Sequence, residues 1–335
     1  MQAAIYGLAG AELNEDERTF FRDADPAGYI LFARNCIDRA QLARLTDDLR
    51  AIHGRADLPV LIDQEGGRVA RMKPPEWVAF PPGEAFDRLY RIAPSSAIEA
   101  ARANARALAL MLREVGVNVD CLPVLDVRQK GASDIVGDRA MGSEPMQVAA
   151  LGRAVLDGLA SAGVVGVVKH IPGHGRALVD SHKELPVVTA SAEDLETDLE
   201  PFERLAWAPM GMVAHILFTQ WDDERPSSQS PGIIRDIIRT RIGFDGFLMT
   251  DDIGMEALSG TPGERAKRSL LAGCDAVLHC SGKFDEMLDV AAHVGDLAPE
   301  AEARLARAMA STLVDDEGPE FAEMVAKRDA LLALA

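Results

Sequence analysis

Residues 144–170 read E-P-M-Q-V-A-A-L-G-R-A-V-L-D-G-L-A-S-A-G-V-V-G-V-V-K-H, and this stretch contains the repeating unit of the fold. Its first part has the apolar spacing of a helix and ends just before Gly163, a residue type that commonly terminates helices. The apolar run Val164–Val168 follows at once, and its continuous hydrophobicity is typical of a parallel strand buried on both faces. The strand then ends on two ionisable side chains, Lys169 and His170. The stretch therefore predicts a helix, a buried strand and a chemically reactive strand end.

The same unit recurs along the chain. The predicted strands are Ala4–Leu8, Tyr29–Phe32, Val60–Ile62, Val117–Leu122, Val164–Val168, Met212–Ile216, Phe247–Met249 and Ala276–Leu278. The predicted helices between them include Asp38–Ile52, Ser95–Val115, Glu144–Ala162, Ala192–Leu205 and Gly263–Ala272. Alternating helices and about eight buried strands predict an α/β fold, a single (β/α)8 TIM-like barrel.

Composition narrows the class of protein. The chain has 335 residues, 53 of them acidic and 35 Lys or Arg, and its formal net charge is −18. Because nucleic acids and anionic membranes select basic surfaces, we expect neither as a partner. Hydrophobic residues make up 48% of the chain, enough for a sizeable core. We expect one catalytic domain over residues 1–335, with C-terminal helices from about residue 284.

The N-terminal segment and the cysteines indicate the compartment. The chain begins M-Q-A-A-I-Y-G-L-A-G-A-E-L-N-E-D-E, without the basic start and long apolar run of an export signal. The four cysteines are scattered and form no CxxC pair, so neither a disulfide framework nor a zinc ribbon is indicated. We therefore expect a cytoplasmic protein, and we expect a monomer.

Polar side chains gather at the expected C-terminal ends of the strands. In a (β/α)8 barrel these ends, with the loops after them, form the active site. A single charged residue at a strand end is often a cap or turn former, but here most strands end this way. The residues are Arg34, Asn35, Asp63, Asp126, Lys169, His170, His215, Asp251 and His279. The sequence therefore predicts a polar active site at one end of the barrel.

The densest segment is residues 168–186, V-K-H-I-P-G-H-G-R-A-L-V-D-S-H-K-E-L-P, which holds three of the seven histidines. His170 and His174 have the spacing of a helical zinc pair, but the proline and glycines between and after them argue against a helix. If the following segment is extended, Asp180 and His182 point to the same side, so that the carboxylate can orient the imidazole and stabilise its protonated form. The pattern predicts an acid/base pair on an irregular loop.

Two further motifs carry carboxylates. Residues 65–68, E-G-G-R, lack the GxGxxG spacing and the GK[ST] ending of phosphate-binding loops. We interpret them as a backbone turn that points Asp63 and Arg71 inward. Asp251 and Asp252 end a predicted strand, and adjacent strand residues face opposite ways. We expect one of these two carboxylates to carry the chemistry and the other to support the structure.

These motifs together resemble those of a known family. They are D-Q-E-G-G-R-V at 63–69, G-D-R-A-M at 137–141, K-H-I-P-G-H-G at 169–175 followed by D-S-H at 180–182, and M-T-D-D-I-G-M at 249–255. The chain closely resembles the glycoside hydrolase family 3 β-N-acetylglucosaminidases that recycle peptidoglycan in the bacterial cytoplasm. The resemblance extends from G-Y-I-L-F-A-R-N at 28–35 to A-G-C-D-A-V-L at 272–278, and so covers most of the chain.

The resemblance implies a retaining exo-hydrolase that needs no cofactor and no metal. Its substrates would be muropeptides that carry 1,6-anhydro-N-acetylmuramic acid, from which it removes a terminal, non-reducing, β-linked N-acetylglucosamine. By motif position, Asp251 is the nucleophile that forms a covalent glycosyl-enzyme, and His182 is the general acid/base, oriented by Asp180. The positions that match sugar-hydroxyl-binding residues are Asp63, Arg71, Arg139, Lys169 and His170. A histidine acid departs from the commoner retaining design, which uses two carboxyl groups about 5 to 5.5 Å apart.

Other functions remain open at the level of sequence. Within the family, a β-glucosidase or β-xylosidase is the alternative. Outside it, a metal-dependent barrel hydrolase would use His170, His174 and Asp251 as ligands. A sugar-binding barrel without catalysis is a third possibility, and the retained Asp251, Asp180 and His182 speak against it.

The chain also departs from its relatives at two places. Many relatives have Asp or Asn and then Thr after G-H-G, where this chain has Arg176 and Ala177. Relatives commonly read D-D-L-S-M where this chain has Ile253 and Gly254. No C-terminal sandwich domain of the larger β-glucosidases is recognisable, which favours the short, single-barrel group.

Overall fold

The computed structural model describes residues 1–312 and 318–335, and its centre is a closed barrel of eight parallel strands. In chain order the barrel strands are β1 (Gln2–Gly7), β2 (Pro26–Leu31), β3 (Val60–Ile62), β4 (Val119–Asp120), β5 (Val165–Ile171), β7 (Met210–Val213), β9 (Phe247–Asp252) and β10 (Ala276–His279). Each strand pairs with its neighbour along the chain, and β10 closes the barrel on β1. The predicted single (β/α)8 barrel is confirmed.

The helices surround this barrel. They are α1 (Glu15–Ala24), α2 (Arg39–His53), α3 (Gly83–Tyr90), α4 (Pro94–Glu114), α5 (Pro145–Ala160), α6 (Ala192–Arg204), α7 (Pro262–Ala272), α8 (Phe284–His293), α9 (Pro299–Ala310) and α10 (Phe321–Leu332). Local sequence explains several boundaries. Asn14 and Thr261 form capping boxes at the starts of α1 and α7, and Gly273 ends α7 in the left-handed conformation, with φ of 113°.

Two layers of apolar side chains hold the barrel together. Alternate strand residues such as Ile5, Leu61 and Met249 belong to a buried cluster inside the barrel, while their neighbours pack against the helices. Leu305 and Met309 of α9 belong to the inner cluster. The barrel interior is therefore a filled core, and α9 contributes to it.

The structure differs from the sequence-based expectation where elements are short or irregular. The strand predicted at Val117–Leu122 is limited to Val119–Asp120, and the one predicted at Met212–Ile216 lies earlier, at Met210–Val213. Two-residue strands β6 (Val187–Val188) and β8 (Leu217–Phe218) form a separate small sheet, and they are too short to give a periodic signal. A π-helical segment, Ile233–Arg241, takes the helix position between β7 and β9.

The C-terminal helix α10 packs on the helical layer. The Arg328 guanidinium donates a hydrogen bond to Asn104 Oδ1 of α4 at 3.3 Å, and Arg106 of α4 donates to the Pro319 carbonyl at 2.9 Å. The expected C-terminal helical region begins in the structure with Phe284, the first residue of α8. None of the helices within residues 1–312 and 318–335 combines the length and the hydrophobicity of a membrane span.

Candidate active site

A cavity of about 430 Å³ opens at the C-terminal ends of the barrel strands. This volume lies within the usual range of small-molecule sites, about 300 to 1,000 Å³. Its lining residues include the expected nucleophile, the expected acid/base and all the expected sugar-binding residues, namely Asp251, His182, Asp63, Arg71, Arg139, Lys169 and His170. Asp180 reaches the site through its hydrogen bond to His182. The structure thus brings every residue of the sequence-based site together.

The polar strand ends divide into two groups. Arg34, Asp63, Lys169, His170 and Asp251 line the cavity. Four others are buried outside the cavity lining, where they hydrogen-bond to loops, a strand end or helix α8, namely Asn35, Asp126, His215 and His279. The second group supports the fold, a distinction that the sequence could not make.

Lys169 lies at the centre of the charged floor of the cavity. Its side chain is 2% exposed, and its ammonium group contacts Asp63 Oδ1 at 2.9 Å and Glu65 Oε1 at 2.6 Å. Burial acts to lower the pKa of Lys169, but the two carboxylates outweigh burial and raise this pKa above the ordinary value. The ammonium therefore remains charged in the folded protein.

Two arginines complete the floor from the other side. Arg139, the last residue of a short 3₁₀ turn, holds Glu65 through two hydrogen bonds of 2.8 Å, and Arg71 contacts Asp63 at 3.0 Å. Burial acts to raise the pKa of Glu65, but Arg139 and Lys169 bring it down to about 2. Burial likewise opposes ionisation of Asp63, and Lys169 with Arg71 holds its pKa well below the usual range. Both carboxylates are ionised and fixed as hydrogen-bond acceptors.

Glu65 is the principal residue that sequence reasoning missed. The E-G-G-R segment does form a turn, in which the Gly66 amide donates to the Val69 carbonyl at 3.1 Å. Gly66 adopts a φ of 95° and lies so close to the Pro81 carbonyl that a Cβ would overlap it. The same turn also directs Glu65 toward Lys169 and Arg139. Lys169 at the end of an apolar run was the available signal in the sequence. A buried ammonium group needs carboxylate partners, and Glu65 is one of them.

His170 is oriented by Asp126, which lies outside the cavity lining. Its Nδ1 lies 2.7 Å from Asp126 Oδ2, while the other Asp126 oxygen accepts from the backbone amides of His170 and His174 at 3.2 and 2.7 Å. Arg139 Nη2 lies 3.4 Å from His170 Nε2, so this ring nitrogen faces the floor. The ordinary strand alternation is interrupted here, because the pairing of β5 with β7 shifts between Lys169 and Ile171. As a result, Lys169 and His170 both line the cavity.

Asp180 and His182 lie on the loop between β5 and β6. Asp180 Oδ1 accepts from the backbone amide of His182 at 2.9 Å and lies 2.8 Å from its ring Nδ1. The prediction assumed an extended segment, but the structure has a turn here. In this turn the backbone amide and the ring of His182 both contact the same carboxylate oxygen of Asp180. Although partial burial acts to raise the pKa of Asp180, these hydrogen bonds lower it. The His182 side chain is 63% exposed.

Asp251 and Asp252 have different surroundings. The Asp251 carboxylate lines the cavity and accepts one backbone hydrogen bond, from Asp252 at 2.8 Å. Asp252 also borders the cavity, but its Oδ1 accepts from the amides of Gly254 at 2.9 Å and Cys280 at 3.1 Å, which fixes two loops. Burial acts to raise the pKa of Asp251, yet His170, His215 and the Asp252 amide hold it below the usual range. An ionised carboxylate with few partners is suited to nucleophilic attack.

The sequence profile described as "Glycosyl hydrolase family 3 N terminal domain" matches residues 3–312. The chain belongs to glycoside hydrolase family 3.

Individual family 3 relatives agree with this. A protein named beta-hexosaminidase from Nitrosospira multiformis is 35% identical over 334 residues, which cover 96% of this chain and 94% of the relative. A beta-hexosaminidase from Bordetella pertussis is 39% identical over 293 residues, covering 84% of this chain and 81% of the relative. NagZ from Neisseria gonorrhoeae, solved in complex with N-trifluoroacetyl-D-glucosamine, superposes with a TM-score of 0.87 at 30% identity and 98% coverage of both chains. The chain is therefore a glycoside hydrolase that is similar to β-hexosaminidases.

The two histidines that a metal-dependent hydrolase would use as ligands form hydrogen bonds with other residues in this barrel. His170 Nδ1 faces Asp126, and His174 Nε2 lies 3.2 Å from the Ser181 hydroxyl. Burial lowers the pKa of His174 to about 4, so its ring is neutral at pH 7. Within the part of the chain that the structure describes, no group of three His, Cys, Asp or Glu residues has an arrangement that could hold a metal ion.

Proposed function

We propose that this family 3 enzyme is a retaining exo-β-N-acetylglucosaminidase. Its substrate would be a muropeptide carrying 1,6-anhydro-N-acetylmuramic acid, from which it removes the terminal, non-reducing, β-linked N-acetylglucosamine. The observation that carries the proposal is the meeting of Asp251, the Asp180–His182 pair and the charged floor in one cavity. The names of the relatives, and the amino-sugar ligand of the Neisseria gonorrhoeae protein, support the sugar.

In the first step, an Asp251 carboxylate oxygen attacks the anomeric carbon of the bound sugar. The bond from this carbon to the glycosidic oxygen breaks, and its electron pair remains on the oxygen of the leaving sugar. His182 gives its proton to that oxygen as the bond breaks, because a sugar alkoxide is a poor leaving group. Asp180 orients the ring through Nδ1, leaving Nε2 to transfer the proton.

In the second step, the neutral His182 takes a proton from water. The water oxygen bonds to the anomeric carbon, and the bond to Asp251 breaks with return of its electron pair to the carboxylate. Two displacements at one carbon restore the β configuration, so the enzyme retains the stereochemistry of its substrate.

The charged floor would hold the sugar during both steps. Asp63 and Glu65 present acceptors for hydroxyl protons, and Lys169, Arg71 and Arg139 present donors, all at fixed positions. Since these groups are already paired and oriented, binding requires little further ordering of side chains. Orientation at the reacting carbon then lowers the barrier to attack.

A substrate panel tests the sugar and the leaving group. We expect p-nitrophenyl N-acetyl-β-glucosaminide to be hydrolysed far faster than the matching glucoside or xyloside, because a site that hydrogen-bonds a polar substituent rejects sugars that lack it. Equal or higher rates on the glucoside or xyloside would favour the alternative activity within the family. Release of N-acetylglucosamine from a purified anhydro-muropeptide, followed by mass spectrometry, tests the natural substrate.

Proton NMR of the first product tests the mechanism. We expect the β-anomer of N-acetylglucosamine to form first and then to equilibrate with the α-anomer. Initial release of the α-anomer would contradict a glycosyl-enzyme on Asp251. We further propose a monomer that acts in the cytoplasm, and light scattering of the purified enzyme tests the first point.

A further inference from the structure

The loop that carries Asp180 and His182 is linked to helix α6 through Arg176. The Arg176 Nε donates to Asp198 Oδ2 at 2.5 Å, and its Nη2 donates to the Asp194 carbonyl at 2.7 Å. These two acceptors lie one helical turn apart on α6, so the planar guanidinium spans the turn and fixes its own direction.

The link acts on the stem of the loop. In residues 172–177, His174 is held by Asp126, and the Ala177 carbonyl accepts from the Ser133 amide at 2.8 Å. A Cβ at Gly173 would lie 3.0 Å from Asp198 Cβ, so the backbone on the other side of His174 also rests on Asp198. Arg176 therefore closes the stem against α6 at a second point.

The tip of the loop, residues 178–184, depends on this stem. Ser181 contacts His174 Nε2 at 3.2 Å, and its carbonyl accepts from the Ala257 amide at 3.3 Å. The hydrogen bonds of Asp180 and His182 are formed with each other and within the turn, and the Leu178 side chain is exposed. A tip with so few contacts takes its position from where the stem ends.

We propose that Arg176 is a positioning residue for His182. By fixing the stem to α6, it sets the place from which the tip presents the imidazole to the glycosidic oxygen. The proposal rests on the proposed function, because it assumes that His182 is the acid/base. It concerns a residue that contacts neither the sugar floor nor Asp251.

Removal of Arg176 is a usable test because Arg176 lies on a loop outside the barrel strands. Its side chain is 20% exposed, whereas that of its partner Asp198 on α6 is 3% exposed, so the variant must not leave a buried carboxylate unpaired. Burial raises the pKa of Asp198 to about 6 even beside the guanidinium. Without Arg176 this carboxyl gains a proton near neutral pH, so that no buried charge is left unpaired.

The experiment compares Arg176→Ala with Arg176→Lys, Asp198→Asn and the wild-type enzyme on aryl N-acetyl-β-glucosaminides whose leaving groups range from dinitrophenol to simple alcohols. We expect Arg176→Ala to lose roughly 10-fold to 100-fold in kcat/KM on the poorest leaving groups, as for a catalytic group moved by about 1 Å, and little on dinitrophenyl substrates. Inhibition by N-acetylglucosamine should be unchanged. Arg176→Lys should recover part of the loss, since an ammonium reaches one of the two acceptors.

The matched control removes another arginine that forms an ion pair with α6. Arg204→Ala breaks a surface pair with Glu200 at 3.2 Å and touches no part of the loop. We expect its activity to be unchanged on every leaving group. Thermal melting of all variants then separates a folding defect from a displaced loop.

Double variants distinguish the two proposals. If His182 is the acid/base and Arg176 positions it, Arg176→Ala has no further effect in a His182→Ala background. A loss that persists in that background, or that is equal for all leaving groups while His182→Ala remains selective, would overturn the role of Arg176 alone. If His182→Ala itself lowers all substrates equally, the proposed function fails first.

Discussion

The cavity floor and the loop tip form two different kinds of active-site wall. On the floor, Lys169 and Glu65 are almost completely buried, and each makes short ionic contacts with at least one partner. On the tip, His182 is mostly exposed, and its ring has one fixed partner, Asp180. Lys169 at the centre of the floor lies in a barrel strand, and Asp63 directly follows another, whereas the tip lies on a loop.

The difference in burial between floor and tip agrees with the role of each in the proposed mechanism. Binding a sugar favours groups that are already oriented, and buried ion pairs supply this order at the cost of desolvation. Proton transfer needs a group that can gain and lose a charge, which burial would oppose, as it does for His174. His182, the proposed acid/base, lies where water can still solvate a charged ring.

The largest expected effect lies at the nucleophile beside the floor. Asp251→Ala should lower kcat by on the order of 10⁴ to 10⁶, as for other enzymes that lose a nucleophile, while N-acetylglucosamine binding and the melting temperature change little. Steady-state kinetics and calorimetry check both halves of this expectation.

Asp252→Asn is the matched control for that variant. The asparagine oxygen can still accept from the Gly254 and Cys280 amides, so the loops remain tied while one neighbouring charge is lost. We expect most of the activity to remain. If Asp252→Asn were as inactive as Asp251→Ala, the nucleophile could not be assigned to Asp251 on this basis.

The next effect separates the tip from the floor. His182→Ala should lower muropeptide hydrolysis by on the order of 10² to 10⁴, the usual range for an acid/base, and affect activated aryl substrates much less. Because the second step then lacks its base, the glycosyl-enzyme should accumulate and be detected by intact-protein mass spectrometry. Added azide should partly restore turnover.

The opposite pattern would identify a different acid. If His182→Ala lowered the rate of hydrolysis of every substrate by the same factor, and azide had no effect, the loop tip would have a binding role. His174, or a carboxylate elsewhere at the barrel mouth, would then be the candidate for the acid/base.

A floor variant should instead change stability. Lys169→Met leaves Asp63 and Glu65 buried without their shared ammonium, and breaking a buried ion pair by removing one partner commonly costs about 3 to 5 kcal/mol. Chemical denaturation measures this loss. His182→Ala serves as the comparison, since the exposed ring should contribute little to the free energy of unfolding. Equal stability of the two variants would show that the floor is not the rigid wall described above.

The pH dependence of that variant sharpens the comparison. In the wild-type protein the pKa of Glu65 is lowered to about 2 from an ordinary value of 4.5, so its contribution to stability is complete above pH 4.5 and is lost as the pH falls toward 2. Without Lys169, burial pushes the pKa of Asp63 and Glu65 upward. We expect the stability gap between the two proteins to narrow as the pH falls from 4.5 toward 2. A constant gap in denaturation experiments would contradict this.

The two walls also differ in how far the sequence predicts them. The barrel could be predicted because buried parallel strands have continuous apolar sequences. The Asp180–His182 pair could be predicted because its two residues are close together in the sequence. The floor depends on contacts between segments that are far apart in the sequence, such as Glu65 with Arg139, which no local pattern contains. For the same reason, Asp126 and His215 had the same sequence signature as Asp63 and Asp251 but lie behind the cavity lining. The identity of Asp180 and His182 was predicted, although the turn that joins them was not.

The smallest expected effect concerns the partner of the acid/base. Asp180→Asn keeps an oxygen that can accept from the His182 amide, so the turn should persist. It removes the negative charge beside the ring Nδ1, and this charge is partly solvated, which limits its energetic weight. We expect a loss of roughly 10-fold on poor leaving groups, less than that of His182→Ala, and almost none on dinitrophenyl substrates. In the His182→Ala background the same substitution should be silent, because an orienting carboxylate has no function without its imidazole. A loss as large as that of His182→Ala on all substrates would show that Asp180 meets the sugar itself, and the tip would then belong with the floor.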